Sequence, residues 1–375
     1  MYNATSARDN AGSAWRKSTA TNLLTVAAVA ACLTYFSYNI YSELGAKGIN
    51  IGFGFLTQPT RWDVSVSFVS QNSGDPYWYT FVVGFINTLA LAAVVVVSST
   101  ILGVVMGLVR SIGSRPLKIY ASIFTSVFRN LPLPLLIFFF YAAFIRLPAP
   151  RSAHELGGVF FLSNRGLTMP TLVLPYESAV LLVLLAATLV LASFRLLFPR
   201  QRNAVRLFCC GAIALVLIAN LLLGNYSVPV LEGLRFRGGT TFPAEFATLV
   251  VAITCFGGAY IGEVIRGGIE AVPPGQIEAA RSLGLRSQPI FWLVVMPQAL
   301  PSIVPPLGNQ YLFLVRATTL GVAVGYAEFF MITSTTINQT GQSIEVLFLL
   351  MATFLVLNLT MTGAINYLNR VVSFR

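Results

Sequence analysis

Residues 272–325 read VPPGQIEAARSLGLRSQPIFWLVVMPQALPSIVPPLGNQYLFLVRATTLGVAVG, a polar, proline-punctuated stretch set between long apolar runs, and the fold turns on it. Pro273 and Pro274 suit only the opening of a helix, Gly284 is placed to close it, and Ser287 followed by Pro289 is a fresh start signal. Two short helices are therefore predicted. On the first, Ile277, Ala280 and Gly284 fall at helical spacing and form a small-residue face, while Glu278 and Arg281 are placed to pair at i, i+3. Prolines at 297, 301, 305 and 306 each remove a backbone donor. The expectation is that no single helix runs from Phe291 to Leu314, that 290–300 lies along an interface, and that a spanning helix begins near Ile303.

The wider composition explains why such a hairpin stands out. Of the 375 residues 56% are hydrophobic and only 10% charged, far from the roughly one quarter charged of ordinary soluble domains. Runs of about twenty apolar residues, the length that a bilayer core demands, fall near 22–42, 81–109, 117–146, 178–198, 205–224, 244–266, 303–325 and 344–368. The sequence thus predicts an all-α polytopic integral membrane protein of about eight transmembrane helices, folded as a single transmembrane domain over 1–375. The balance of 24 Lys+Arg against 13 Asp+Glu is a matter of membrane orientation, not of nucleic-acid binding. Arg110, Arg115, Lys118, Arg195 to Arg206, Arg266, Arg281, Arg286 and Arg370 collect on one side of the alternating spans, which places that side and both termini in the cytoplasm. Segments 43–80 and 147–177 then lie outside.

Several classes are excluded. Cys32, Cys209, Cys210 and Cys255 lie within apolar runs without metal or disulfide spacing, and His154 has no second imidazole, so neither a metal site nor a histidine-based triad is supported. No GxxxxGK[ST] phosphate loop occurs. ATP-driven work requires a motor on another chain.

Glu278-Ala279-Ala280, three residues, Gly284, nine residues, then Val294-Val295-Met296-Pro297 follows the EAA signature. With Glu263-Val-Ile-Arg-Gly-Gly, Pro-Gln-Ala-Leu at 297–300, Pro-Pro-Leu-Gly-Asn-Gln at 305–310 and Arg129-Asn-Leu-Pro-Leu-Pro, the chain resembles permease subunits of bacterial ABC importers in the polar amino-acid branch. Phe161-Leu-Ser-Asn-Arg-Gly-Leu and the long chain are most similar to general L-amino-acid permeases of the Aap/Bzt/Nat type. Arg316-Ala-Thr-Thr departs from the Lys-Asp-Thr-Ser usual there. The resemblance implies a five-helix type I importer core at 81–146 and 244–370, with the first span and a peripheral helix pair at 178–224 as additions. It implies that 267–300 is the cytoplasmic loop that docks in a groove of the ATPase, with Gly275, Glu278, Ala279, Ala280 and Gly284 as the coupling residues. Implied partners are a second homologous permease in a heterodimer, two ATP-binding subunits that carry ATP and Mg, and a periplasmic binding protein; no cofactor is implied on this chain. The implied location is the bacterial inner membrane.

An ionisable side chain at membrane depth is a functional candidate. Counted along straight spans at ~1.5 Å per residue, Arg129 and Arg316 each lie roughly 18–20 Å deep. Glu177, Glu245, Glu328 and Glu345 fall at outer ends and Glu263 at an inner end, so mid-membrane is read as basic, which favours an anionic group such as a carboxylate. Pro132 and Pro134 break the helix beside Arg129, a feature of transport paths. The candidate path residues are Arg129, Asn130, Asn309, Gln310, Arg316, Thr318 and Thr319; positions 309, 316 and 320 share one helical face. Arg129 as a purely structural tie for broken backbone, and Arg316 as a contact to the partner permease, are weighed about equally against substrate roles. Gly103, Gly107, Gly257 and Gly258 are close-packing positions. A single-chain secondary transporter or channel predicts a coupling carboxylate at depth or an inverted repeat; an intramembrane enzyme predicts a nucleophile with a base. The sequence displays none of these.

Overall fold

The computed structural model describes residues 52–64, 67–173, 224–233 and 235–373, with scattered positions between 25 and 39 and between 211 and 220. The expected span at 178–198 lies outside these residues, and those at 22–42 and 205–224 are described only at scattered positions. The other five expected spans are helical. Helix α1 (Tyr77–Ile112) and α4 (Ala244–Glu270) are long and apolar enough to cross a membrane, as are the run Ser287–Val324 and the segment Ser343–Tyr367 of the last helix. The fifth is broken: α2 (Arg115–Asn130) and α3 (Leu133–Ile145) meet at 106°. Pro132 and Pro134 account for the bend, because neither donates to the preceding turn and Leu131 is driven to extended backbone. Within the described residues the apolar spans are four straight ones and one bent pair.

Helices α1 and α4 form the central pair and run parallel. Their contact is made by glycines where the backbones approach: a Cβ on Gly107 would stand 2.8 Å from Ile265 Cβ, and one on Gly257 would stand 2.7 Å from Ser99 Oγ. That is the close-packing role expected of these glycines. Leu91, Val95, Ile137, Leu249, Ile253, Ile261 and Leu314 are completely buried around this contact.

The proline-rich run corrects an expectation. After Ser287–Pro289 the backbone makes a π-helical turn at Ile290–Val295 and continues as α6 (Met296–Ala317) with Pro301, Pro305 and Pro306 inside it. Proline's fixed φ is itself helical, and lost donors are tolerated where neighbouring helices accommodate the freed carbonyls. The π turn re-registers the helix just before Pro297, ahead of all of them. The spanning segment therefore starts well before Ile303. It passes into a 3₁₀ segment (Thr318–Val324), breaks at Gly325 with φ 81°, and resumes as α7 (Phe329–Thr340) and α8 (Ser343–Ser373).

The purely helical expectation is corrected as well. Among the described residues, eight strands of three or four residues lie at the end of the bundle opposite the hairpin. Strands β1 (His154–Leu156), β2 (Phe160–Ser163), β3 (Gly166–Met169) and β8 (Thr240–Pro243) form one antiparallel sheet in the order β1-β2-β3-β8. Strands β4 (Thr171–Val173) and β5 (Asn225–Ser227) pair, as do β6 (Val230–Glu232) and β7 (Arg235–Arg237). Because β3 pairs with β8 and β4 with β5, the two chain segments that flank 174–223 are zipped together, with Gly166 opposite Pro243 and Thr171 opposite Ser227. The diglycines Gly157-Gly158 and Gly238-Gly239, all at positive φ, were the turn signals for this layer.

Candidate coupling and translocation site

Helix α5 (Pro274–Ser282) is the first predicted short helix, and its ends are as the sequence indicates. Gly284 at φ 76° donates to Arg281 O at 2.9 Å, and Leu285 N donates to Ala280 O at 3.2 Å. That pair of bonds is a Schellman closure, and it needs a residue at ease in left-handed backbone. The use of the faces differs from expectation. Ala280 is buried and Ile277 half-buried against the body of the chain, beside Val272, so that face holds the knob in place. Gly275, Glu278, Ala279 and Gly284 point outward, and Leu283 is 81% exposed. Glu278 and Arg281 stand exposed without the expected ion pair. The second short helix is only the three-residue start of the long run.

Beside this hairpin lies an ion cluster. Glu263 Oε2 accepts from Arg110 at 2.5 Å and is 3.3 Å from the Arg129 guanidinium, while Oε1 takes Arg266, which also pairs with Glu270. Three helices meet on one carboxylate: α1 through Arg110, α2 through Arg129 and α4 itself. Arg129 also lies over the Tyr260 ring, 5.2 Å from its centroid, and Tyr260 Oη donates to Arg129 O at 3.4 Å. Arg110 is in the last turn of α1, so Arg129 belongs to the hairpin end of the bundle and not to the middle of a span. The depth count failed because the 106° bend turns α2 away from the axis of α3. Asn130 is exposed at the same bend.

The α6 candidates are elsewhere. Arg316 Nε donates to Asn358 Oδ1 of α8 at 3.1 Å with its side chain exposed, and Asn309 is exposed two turns earlier. Gln310 is half-buried; the Thr318 and Thr319 hydroxyls return to their own helix at Val315 O and Arg316 O, 2.7 and 2.8 Å. No ion pair or hydrogen bond joins this group to Arg129.

A polar knot that sequence reading missed sits at the break after Gly325. Glu328, completely buried, caps α7: its two carboxylate oxygens accept from Phe330 N and Met331 N, both at 2.8 Å. Asn87 Nδ2 donates to Ala327 O at 2.9 Å, Tyr326 Oη to Asn87 O at 3.3 Å, and Phe329 N to Thr88 Oγ1 at 3.0 Å. Asn87 is ten residues into α1, roughly 15 Å from its start, so Glu328 lies at depth and not at an outer end as expected. The argument that no carboxylate reaches that level is thereby corrected. Gly325 was the available signal, since a left-handed residue ends the preceding helix.

Comparison with known proteins matches the model of the binding-protein-dependent transport system inner membrane component over residues 99–374. The chain is 37% identical over 361 residues to the putative amino-acid ABC transporter permease protein YhdX of Escherichia coli strain K12, covering 93% of this chain and 92% of that protein. It is 30% identical to the general L-amino acid transport system permease protein AapQ of Rhizobium johnstonii, over 92% and 90% of the two chains. It is 28% identical to the glutamate/glutamine/aspartate/asparagine transport system permease protein BztB of Rhodobacter capsulatus, over 92% and 90%. With a capped hairpin knob at one end of an apolar helical bundle and a family match that spans most of its length, this chain belongs to the binding-protein-dependent transport system inner membrane component family.

Proposed function

We propose that the chain is the transmembrane permease subunit of an ATP-driven amino-acid importer, forming the path for L-amino acids handed over by a periplasmic binding protein. The observation that carries this reading is α5: a rigid, capped helix anchored by Ile277 and Ala280, with Gly275, Glu278, Ala279 and Leu283 turned away from the bundle. An outward knob with small residues on its free face suits a groove on another protein, and hydrolysis requires that other protein because no phosphate loop occurs in this sequence. The relatives' names supply the amino-acid class. In this reading the hairpin end faces the cytoplasm of a bacterial inner membrane with both termini, and the strands face the periplasm. The assembly holds a second homologous permease, two ATP-binding subunits that bind ATP and Mg, and the binding protein.

Force on α5 reaches the bundle by a short route, since α4 enters the hairpin and the run Ser287–Val324 leaves it. Glu263 ties α1 and α2 to the same base. Within this scheme Arg129 is a positioning residue at the inner end, and Arg316, with Asn309 on the exposed side of α6 and Gln310 half-buried beside it, is the residue that meets the substrate carboxylate. The test is uptake of labelled amino acids into proteoliposomes that hold the full assembly. Accumulation is expected only with ATP and binding protein together. Accumulation by this chain alone, driven by an ion gradient, overturns the reading in favour of a secondary transporter.

A further inference from the structure

A cavity of about 610 Å³ opens at the strand end of the bundle, where the segment before α1 meets the loop between α7 and α8. That size is within the range of small-molecule sites, ~300–1,000 Å³. Its walls carry the side-chain amides of Gln58, Gln339 and Gln342, the Thr340 hydroxyl and the Arg61 guanidinium. Phe55 and Tyr77, both buried and packed edge to face at 5.8 Å between ring centroids, supply an apolar floor. Among the described residues no carboxylate lines it. The nearby Glu345 has Oε1 occupied by Gly52 N at 2.8 Å. Among the described residues the Arg61 side chain makes no ion pair or hydrogen bond.

Arg61 has a second unusual property. It is the non-glycine residue at positive φ, 63°, among the described residues, a conformation that a side chain with a Cβ resists. Such strain persists only where the surroundings dictate it, and it concentrates at binding sites. Here they do dictate it. Arg61 N donates to Ser73 O at 2.8 Å and Thr60 N to Asp75 O at 3.0 Å. The buried Gln71 holds the same loop from inside, accepting from Val64 N at 2.7 Å and donating to Thr60 Oγ1 at 3.1 Å. The loop is thus built to present a bare guanidinium over a cavity rich in amides.

We propose that this cavity binds a small polar solute through its carboxylate, with Arg61 as the carboxylate clamp and the glutamine amides as partners for the remaining polar groups. A guanidinium matches a carboxylate in two parallel hydrogen bonds, and an acid-free wall leaves no competitor for it. The segment that supplies Arg61 precedes the residues matched by the family model, 99–374. Asn309, Gln310 and Arg316, assigned above to the transport path, do not line this cavity, so the site is distinct from them and goes beyond the proposed transport function.

The experiment is calorimetric titration of the full chain in lipid nanodiscs, without binding protein or ATPase, using L-glutamine and its carboxyl-blocked amide. L-glutamine is expected to bind and the amide not to. Arg61→Gly relaxes the backbone while removing the clamp, so the protein is expected to stay folded and binding to weaken roughly ten- to hundredfold, the loss of a charge-assisted pair. Gln339→Glu, which sets a like charge in the wall, should weaken it similarly and serves if the glycine variant misfolds. Arg237→Gln, at an exposed arginine paired with Glu232 elsewhere at the strand end, should bind as the unaltered chain does, which separates the loss at Arg61 from a general loss of positive charge there. Unchanged binding in Arg61→Gly and Gln339→Glu overturns the proposal, as does an equal loss of binding in Arg237→Gln. Absence of L-glutamine binding, with Arg61→Gly weakening only the docking of the binding protein, also overturns it and assigns the cavity to a protein side chain.

Discussion

Glu263 is the residue on which most depends, because one carboxylate holds three guanidinium groups from three helices. Removing its charge leaves Arg110 partly buried without an anion and Arg266 with Glu270 alone, a more costly state than removal of the whole group. Glu263→Gln is expected to cost about 1–3 kcal/mol, held below the range for deep pairs because a quarter of the side chain meets solvent. Arg129→Gln, whose guanidinium is 39% exposed, should cost less, and its effect should shrink in the Glu263→Gln background. Thermal unfolding of the single and double variants in detergent measures this; fully additive effects would show that the two do not interact. The Glu263, Arg266, Glu270 spacing at i, i+3 and i+4 was visible in the sequence. The arrivals of Arg110 and Arg129 from other helices were not, because nothing local encodes them.

Helix α5 was the most legible element. Its prolines, its length and its closing Gly284 are local signals, and each acts within one or two turns. Which face points outward was not legible, since Ala279 and Ala280 are chemically alike and only the packing of Val272 and Ile277 decides between them. The consequence is a sharp contrast. Ala280→Leu should overpack a buried position and cost about 1–3 kcal/mol, seen as a lowered melting temperature. Ala279→Leu should leave melting unchanged and reduce co-purification of the ATPase. Equal docking by the Ala279→Leu and unaltered chains would place the contact elsewhere. By contrast, α7 was overlooked because its twelve residues, FFMITSTTINQT, are short and polar, and its buried cap forms only against Asn87 and Thr88 of α1.

At the scale of the whole molecule the proposed function fixes an orientation. If the hairpin end is cytoplasmic, cysteines placed at the exposed positions Ser73 and Asn164 should react with an impermeant thiol reagent added outside intact cells, and those at Ser114 and Ser287 only after the cells are opened. The opposite pattern inverts the proposed topology. The arrangement that this tests is simple: strands and the Arg61 cavity at one end, hairpin and Glu263 cluster at the other, with α1 and α4 packed in parallel between them.

Membrane insertion, the five core spans among the described residues, the hairpin and the need for a separate motor chain follow from sequence alone. Hydrophobic run length, proline and glycine act locally, and a missing phosphate loop is a property of the chain itself. Depth, pairing and facing were decided by tertiary structure. Arg129 moved to the hairpin end because two prolines turn its helix through 106°, and Glu328 moved inward because the run from Ser287 breaks against α1 and continues as α7. The strands joined across 174–223 because residues some seventy positions apart supply each other's backbone hydrogen bonds, and such partners are found only when the chain has folded.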